Sequence, residues 1–153
     1  SADAAEDAVF TLTAVYGLVT VVTALVGGWW SDRIGRRKPL VIWSGLIAAA
    51  ALMTFAFIHT MPAAYVGAVV LGIGFGAYTA VDFALITQVL PGAADRAKDL
   101  GVINIANALP QVLAPVLAAA VLGLGLGYPG LYLLAAGASV LGSVLVTRIR
   151  SVD

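Results

Sequence analysis

Gly28-Trp29-Trp30-Ser31-Asp32-Arg33-Ile34-Gly35-Arg36-Arg37-Lys38 is the stretch on which the reading of this chain turns. It holds four of the eight Lys and Arg residues of the whole sequence. Apolar runs of about twenty residues flank it on both sides, each long enough to cross a bilayer. A short, strongly basic link between two such runs reads as a cytoplasmic loop joining two membrane-spanning helices. Within it, Gly28 permits close helix approach and Gly35 permits a tight turn back. Asp32 is an anion able to sit against a helix N-terminus or to accept from Arg. Arg36, four residues after Asp32, can reach a carboxylate on a neighbouring helix. The plainer alternative is a basic anchor loop with no further role.

Composition supports the membrane reading. Only 10% of the residues are charged, against about 25% in a soluble globular domain, and the mean hydropathy is +1.03. The expected fold class is therefore all-α integral membrane, with five transmembrane helices. The lipid bilayer is the first expected partner. The formal net charge is zero, so no nucleic-acid partner is expected. Cysteine is absent and there is a single histidine, which excludes a disulfide framework and a multi-Cys or multi-His metal site. No cofactor, metal or catalytic residue is expected. The sequence opens Ser-Ala-Asp rather than with Met, and no basic segment precedes the first apolar run, so no signal peptide is expected and the chain reads as a piece of a longer protein.

The spans are expected at about 8–30, 39–58, 63–90, 99–123 and 131–147. In the first, Tyr16, Thr20, Thr23 and Gly27 fall on one helical face. That stripe suits either a polar cavity wall or helix packing through small and hydroxyl residues. Trp29 and Trp30 close the span as interface aromatics. Pro39 suits the first turn of the second span, and His59 sits in the short turn after it. In the third span Ala68, Gly72, Gly76, Ala80 and Ala84 form a smooth ridge repeating every four residues, a surface another helix can approach closely. Asp82 is the one acid well inside an apolar span, with Tyr78 one turn before it. Burial of such an acid costs about 2.5–3.5 kcal/mol on insertion scales, so it is a candidate functional residue.

The fourth span opens at Asp99, whose charge favours the helix dipole. Asn104, Asn107 and Gln111 share one of its faces, and Pro110 and Pro115 interrupt its backbone ladder. Amides in an apolar span need partners. Either other helices supply them, or water and a polar substrate do. The stretch 124–130 holds Gly125, Gly127, Pro129 and Gly130 and reads as an outside turn. Alternating sides from the basic loop places all eight Lys and Arg on one side. The basic loops and the C-terminus are thus expected in the cytoplasm, with the acidic N-terminal segment starting outside. The localisation expected is a multi-pass protein of the cell membrane.

The pattern Gly-x-x-x-Asp-Arg-x-Gly-Arg-Arg, here Gly28, Asp32, Arg33, Gly35, Arg36 and Arg37, resembles the signature loop of the major facilitator superfamily of secondary transporters. Five spans with that loop after the first are similar to helices eight to twelve of a twelve-helix transporter, so the chain would be part of the C-terminal half of such a bundle. The stretch from Asp99 to Gln111 resembles the eleventh helix of the sugar–cation symporter group, which includes sucrose-type transporters. The resemblance implies two six-helix halves that rock about a midplane site. It implies a latch role for the signature loop: Asp32 would face a helix N-terminus of the missing N-terminal half, and Arg36 would bond an acid on a neighbouring helix. Asp82 is the candidate acid, with proton coupling through a desolvated carboxyl and plain polar packing as its alternatives. Asp99 would face the corresponding loop of the missing half.

The function expected is secondary active transport by alternating access, as cation-coupled uptake of a sugar or similar small polar solute, with a proton as the candidate ion. Candidate cavity-lining residues are Tyr16, Thr20, Tyr78, Asn104, Asn107 and Gln111. An exporter of drugs or metabolites is the alternative within transporters. An intramembrane enzyme is a distant one: His59 lies in a turn, and no Gly-x-Ser-x-Gly nucleophile turn occurs. A passive channel would want a repeated pore-lining ring, which the sequence lacks.

Overall fold

The computed structural model describes residues 2–35, 38–88 and 96–148, and their side chains apart from those at 2, 82–88, 96–100 and 103. Five helices account for the described chain: α1 (Ala2–Ile34), α2 (Lys38–Phe57), α3 (Met61–Gln88), α4 (Arg96–Gly123) and α5 (Gly127–Arg148). Each contains a stretch long and apolar enough to cross a membrane. No strand occurs among the described residues.

Local chemistry explains where the helices stop. α1 continues past the apolar span at both ends to reach 33 residues, because Ala4, Ala5 and Glu6 are strong helix formers and Asp3 favours the positive end of the dipole. At its other end Gly35 adopts φ +66, and its N–H donates to the Ser31 carbonyl at 3.0 Å. Thr60 caps α3: its Oγ1 accepts from Ala63 N–H at 3.4 Å, so the helix starts at Met61 rather than after Pro62. α4 runs without a break through Pro110 and Pro115. It ends in a Schellman turn, with Gly125 at φ +76, Leu126 N–H donating to Val121 O at 3.3 Å and Gly125 N–H to Leu122 O at 3.0 Å. The outside turn is therefore shorter than 124–130. α5 already begins at Gly127, and Pro129 is tolerated there because the first N–H groups of a helix have no intrahelical acceptor.

Packing runs in the order α1, α3, α2, α5, α4. α3 packs between α1 and α2, and its two faces are cut for different neighbours. On one face, a Cβ built on Gly72 would lie 3.0 Å from the Tyr16 carbonyl oxygen, and one on Gly76 would lie 2.5 Å from that of Thr20. Gly27 in turn lies 3.6 Å from Ala77 Cα and Ala80 Cβ by the same measure. Contacts that advance together along both helices make α1 and α3 parallel. On the other face Gly74 meets the Ser44 carbonyl oxygen, and Gly67 meets the Phe55 ring, so α2 runs antiparallel to α3. The α2–α5 seam is antiparallel too, with Gly45 on Ser139 and Ser143 and the Phe55 and Tyr132 rings 5.6 Å apart. Ser139 Oγ donates across this seam to the Gly45 carbonyl at 2.9 Å.

This connectivity brings the end of α1, the start of α2, the end of α3, the start of α4 and the end of α5 to one end of the bundle. All the described Lys and Arg residues lie at that end. The apolar cores of α1 and α4 are 0% and 6% buried within the chain. Lipid or further protein must cover them, since this five-helix unit does not.

Candidate functional site

The signature loop closes α1. Asp32 and Arg33 are both exposed, and the Arg33 guanidinium lies 5.3 Å from the centre of the Trp29 ring, a cation–π contact that holds the side chain along the helix. Gly35 makes the turn, and its positive φ is the conformation a residue without Cβ adopts freely. Arg36 and Arg37 lie outside the described residues. Gly28 departs from its expected role. A Cβ built there meets nothing within 4 Å, whereas its neighbour Gly27 is buried against α3. Neighbouring helix positions differ by about 100° in direction, so only one of the pair can face α3. Within this chain the close approach belongs to Gly27.

Ser31, directly before the acid of the loop, is fully buried, and its Oγ has no hydrogen-bond partner among the described residues. Thr20 Oγ1 is also buried without a hydrogen-bond partner among the described residues, about three turns earlier in α1, beside the Gly76 approach. Sequence reasoning singled out Thr20 but not Ser31. The signal was available, because Ser31 continues the Gly27 face by one helical turn.

The six cavity candidates fall in three places. Tyr16 is half-buried on the α1–α3 seam, with its ring 6.2 Å from that of Phe75, and Thr20 follows it down the seam. Tyr78 lines a cavity of about 300 Å³ between α2, α3 and α5. Asn104, Asn107 and Gln111 are exposed along α4, where Gln111 Nε2 donates to the Asn107 carbonyl at 3.3 Å. Asp82 belongs to α3, one turn beyond Tyr78; its side chain, like that of Asp99, lies outside the described residues. His59 is exposed in the α2–α3 turn, as a solvated turn residue would be.

Sequence reasoning missed the hydroxyl cluster of the α2–α3–α5 cavity. Ser44, Ser139 and Ser143 all line it, and Ser44 and Ser143 are buried. The clue was the spacing of Ser139 and Ser143, one turn apart in an otherwise apolar span.

Five spanning helices, alternating in direction and carrying every described basic residue at one end, define a multi-pass helical membrane protein. The chain belongs to the major facilitator superfamily, whose family model matches residues 3–153. It is similar to myo-inositol transporter 3C of Cryptococcus neoformans var. grubii, 30% identical over 135 residues, which cover 88% of this chain and 22% of that protein. It is also similar to the multidrug resistance protein MdtL of Shewanella oneidensis, 34% identical over 103 residues, covering 67% of this chain and 26% of that protein. The chain thus spans about a quarter of the length of these curated relatives. No solved structure matches it significantly.

Proposed function

We propose that this chain is the greater part of the C-terminal half of a secondary active transporter that works by alternating access, taking up a sugar or similar small polar solute with a cation. The observation that carries this reading is the amide face of α4. Asn104, Asn107 and Gln111 stand exposed on a helix whose apolar core is only 6% buried within the chain. Amides held in a membrane span need hydrogen-bonding partners, and a polyhydroxylated solute in a wet cavity supplies them. The similarity to a myo-inositol transporter over 88% of the chain is in keeping with such a solute. Family membership points to transport rather than to enzyme chemistry.

In this reading the missing N-terminal half covers the bare faces of α1 and α4 and completes the substrate site. The signature loop, with Gly28, Asp32, Arg33, Gly35, Arg36 and Arg37, latches one conformation across the two halves. Asp82 partners Arg36 in that latch or carries the coupling proton. The basic end and the C-terminus lie in the cytoplasm by the positive-inside rule.

The test is uptake by the full-length protein in proteoliposomes, using myo-inositol and a disaccharide panel with and without an imposed proton gradient. Gradient-dependent accumulation of one of these solutes is the expected result. A second reading, drug export, rests on the similarity to MdtL. It takes over if no sugar or polyol accumulates under any gradient while a lipophilic cation is extruded.

A further inference from the structure

We propose that Trp29 is a positioning residue of the signature loop. Its ring holds the Arg33 guanidinium away from the neighbouring Asp32 carboxylate, which stays available to a partner outside this chain. This rests on the latch reading above and adds a residue that the pattern Gly-x-x-x-Asp-Arg-x-Gly-Arg-Arg leaves open.

Three observations carry this. The first is the contact itself. The Arg33 guanidinium lies 5.3 Å from the centre of the Trp29 ring. The two residues stand four apart in α1, the spacing at which helix side chains meet. The negative face of an indole attracts a guanidinium, and Trp is the strongest aromatic partner for it.

The second is the ion pair that Arg33 does not make. Asp32 is its neighbour in sequence and is exposed like it. Adjacent helix residues leave the axis about 100° apart, but a long Arg side chain is flexible enough to curl onto a neighbouring carboxylate. Among the described residues, however, Asp32 makes no hydrogen bond or ion pair, and the Trp29 ring is the contact that Arg33 makes.

The third is placement. Ser31 is fully buried on the side of α1 that packs on α3. At about 100° per residue, Trp29 and Arg33 stand about 160° and 200° round the helix from it, on the opposite face. Trp29 is 64% exposed there, and the apolar core of α1 is 0% buried within this chain. Asp32, about 100° from Ser31, stands on the flank between the two faces. The ring thus draws the cation to the far side of the helix and leaves the anion on the flank with its full charge. That separation matters for a latch. An anion is favoured at a helix N-terminus by its charge, and an Asp32 neutralised by Arg33 would offer the dipole none.

The experiment is hydrogen exchange, read by mass spectrometry, at the backbone of residues 28–38 in the full-length protein in detergent. A closed latch shields this loop, so its amides exchange slowly. Trp29 is replaced by mono-, di- and tetrafluorotryptophan, which keep the ring and weaken the negative charge of its face step by step, and by Leu, which removes the ring. Exchange is expected to quicken with each step and to end about fivefold faster in Trp29→Leu. In Asp32→Asn, which has no latch to lose, exchange should be fast throughout and the same series flat. Asp32→Asn as slow as wild type overturns the latch and the proposal with it. Fast exchange in Asp32→Asn beside a flat series in the protein that keeps Asp32 overturns the proposal alone. A series that keeps its slope in Asp32→Asn also overturns it, because the ring would then only staple the end of α1. The readout involves no transport, so it does not depend on which solute is carried.

Discussion

Gly76 of α3 rests on the backbone of Thr20 in α1, so near that a Cβ at position 76 would lie 2.5 Å from the Thr20 carbonyl oxygen. The neighbour is backbone in the middle of a helix, which cannot step aside as a flexible side chain can. The seam therefore tolerates hydrogen at this position and little else.

Gly76→Val is accordingly expected to push α1 and α3 apart. Overpacking of this kind costs about 1–3 kcal/mol, and a β-branched residue loses rotamer freedom in a helix besides. The check is thermal unfolding of the full-length protein in detergent, compared with Gly28→Val. Position 28 has open space within this chain, so its variant should stay near wild type in stability. Equal loss in the two would mean that the close approach at position 76 does not set the stability of this seam.

Gly35 makes the tight turn that ends α1, with φ +66. A Cβ there meets nothing, so the strain of a substitution is purely conformational. Gly35→Ala should cost about 1–2 kcal/mol, and Gly35→Asn less, because Asn enters the left-handed region more readily. Thermal melts of the two variants check the order. Ala melting at or above Asn would show that the turn is not held in this conformation.

Ser139 Oγ bridges α5 to the Gly45 carbonyl of α2. Helix-to-helix hydrogen bonds inside membranes average only about 0.6 kcal/mol. Ser139→Ala should therefore destabilise by about that amount, while Gly45→Leu, which drives a side chain into Ser143 Oγ and the Ser139 carbonyl, should cost several times more. Unfolding in increasing denaturing detergent separates the two. A larger loss from Ser139→Ala than from Gly45→Leu would place the seam's stability in the hydrogen bond rather than in the close approach.

These contrasts show what was legible in the sequence. Span count and the one-sided clustering of charge are local properties, and hydropathy with the basic residues reveals them directly. The ridge through Ala68, Gly72, Gly76 and Ala80 was legible as a packing surface, but its partner was not, because small residues advertise closeness without saying to whom. The structure supplies the partner: α1, through Tyr16, Thr20, Thr23 and Gly27. Gly27 and Gly28 were indistinguishable as neighbours in sequence; only the position of α3 separates them. Ser44 and Ser143 were passed over because a hydroxyl in an apolar helix can be satisfied by its own backbone, and Ser139 because its acceptor, the Gly45 carbonyl, lies on another helix that the sequence does not place beside it. The amide face of α4 was plain from the sequence, and it stays exposed in this chain.

Asp82 offers the sharpest functional test, because its two candidate jobs make different kinetic demands. A latch partner of Arg36 stabilises one conformation of the whole transporter, so its loss alters every cycle that passes through that conformation. A coupling acid matters only when proton movement drives net flux. Asp82→Asn keeps the size of the side chain and removes its charge. The expected outcome is the latch result: equilibrium exchange and gradient-driven uptake both fall by a common factor of about ten, equivalent to about 1.4 kcal/mol. Arg36→Gln should then do the same, and the double variant should be no worse than either single one, as partners in one interaction require. Exchange that persists in Asp82→Asn while accumulation disappears would instead make Asp82 the proton carrier, and the Arg36 variant would then show an additive loss.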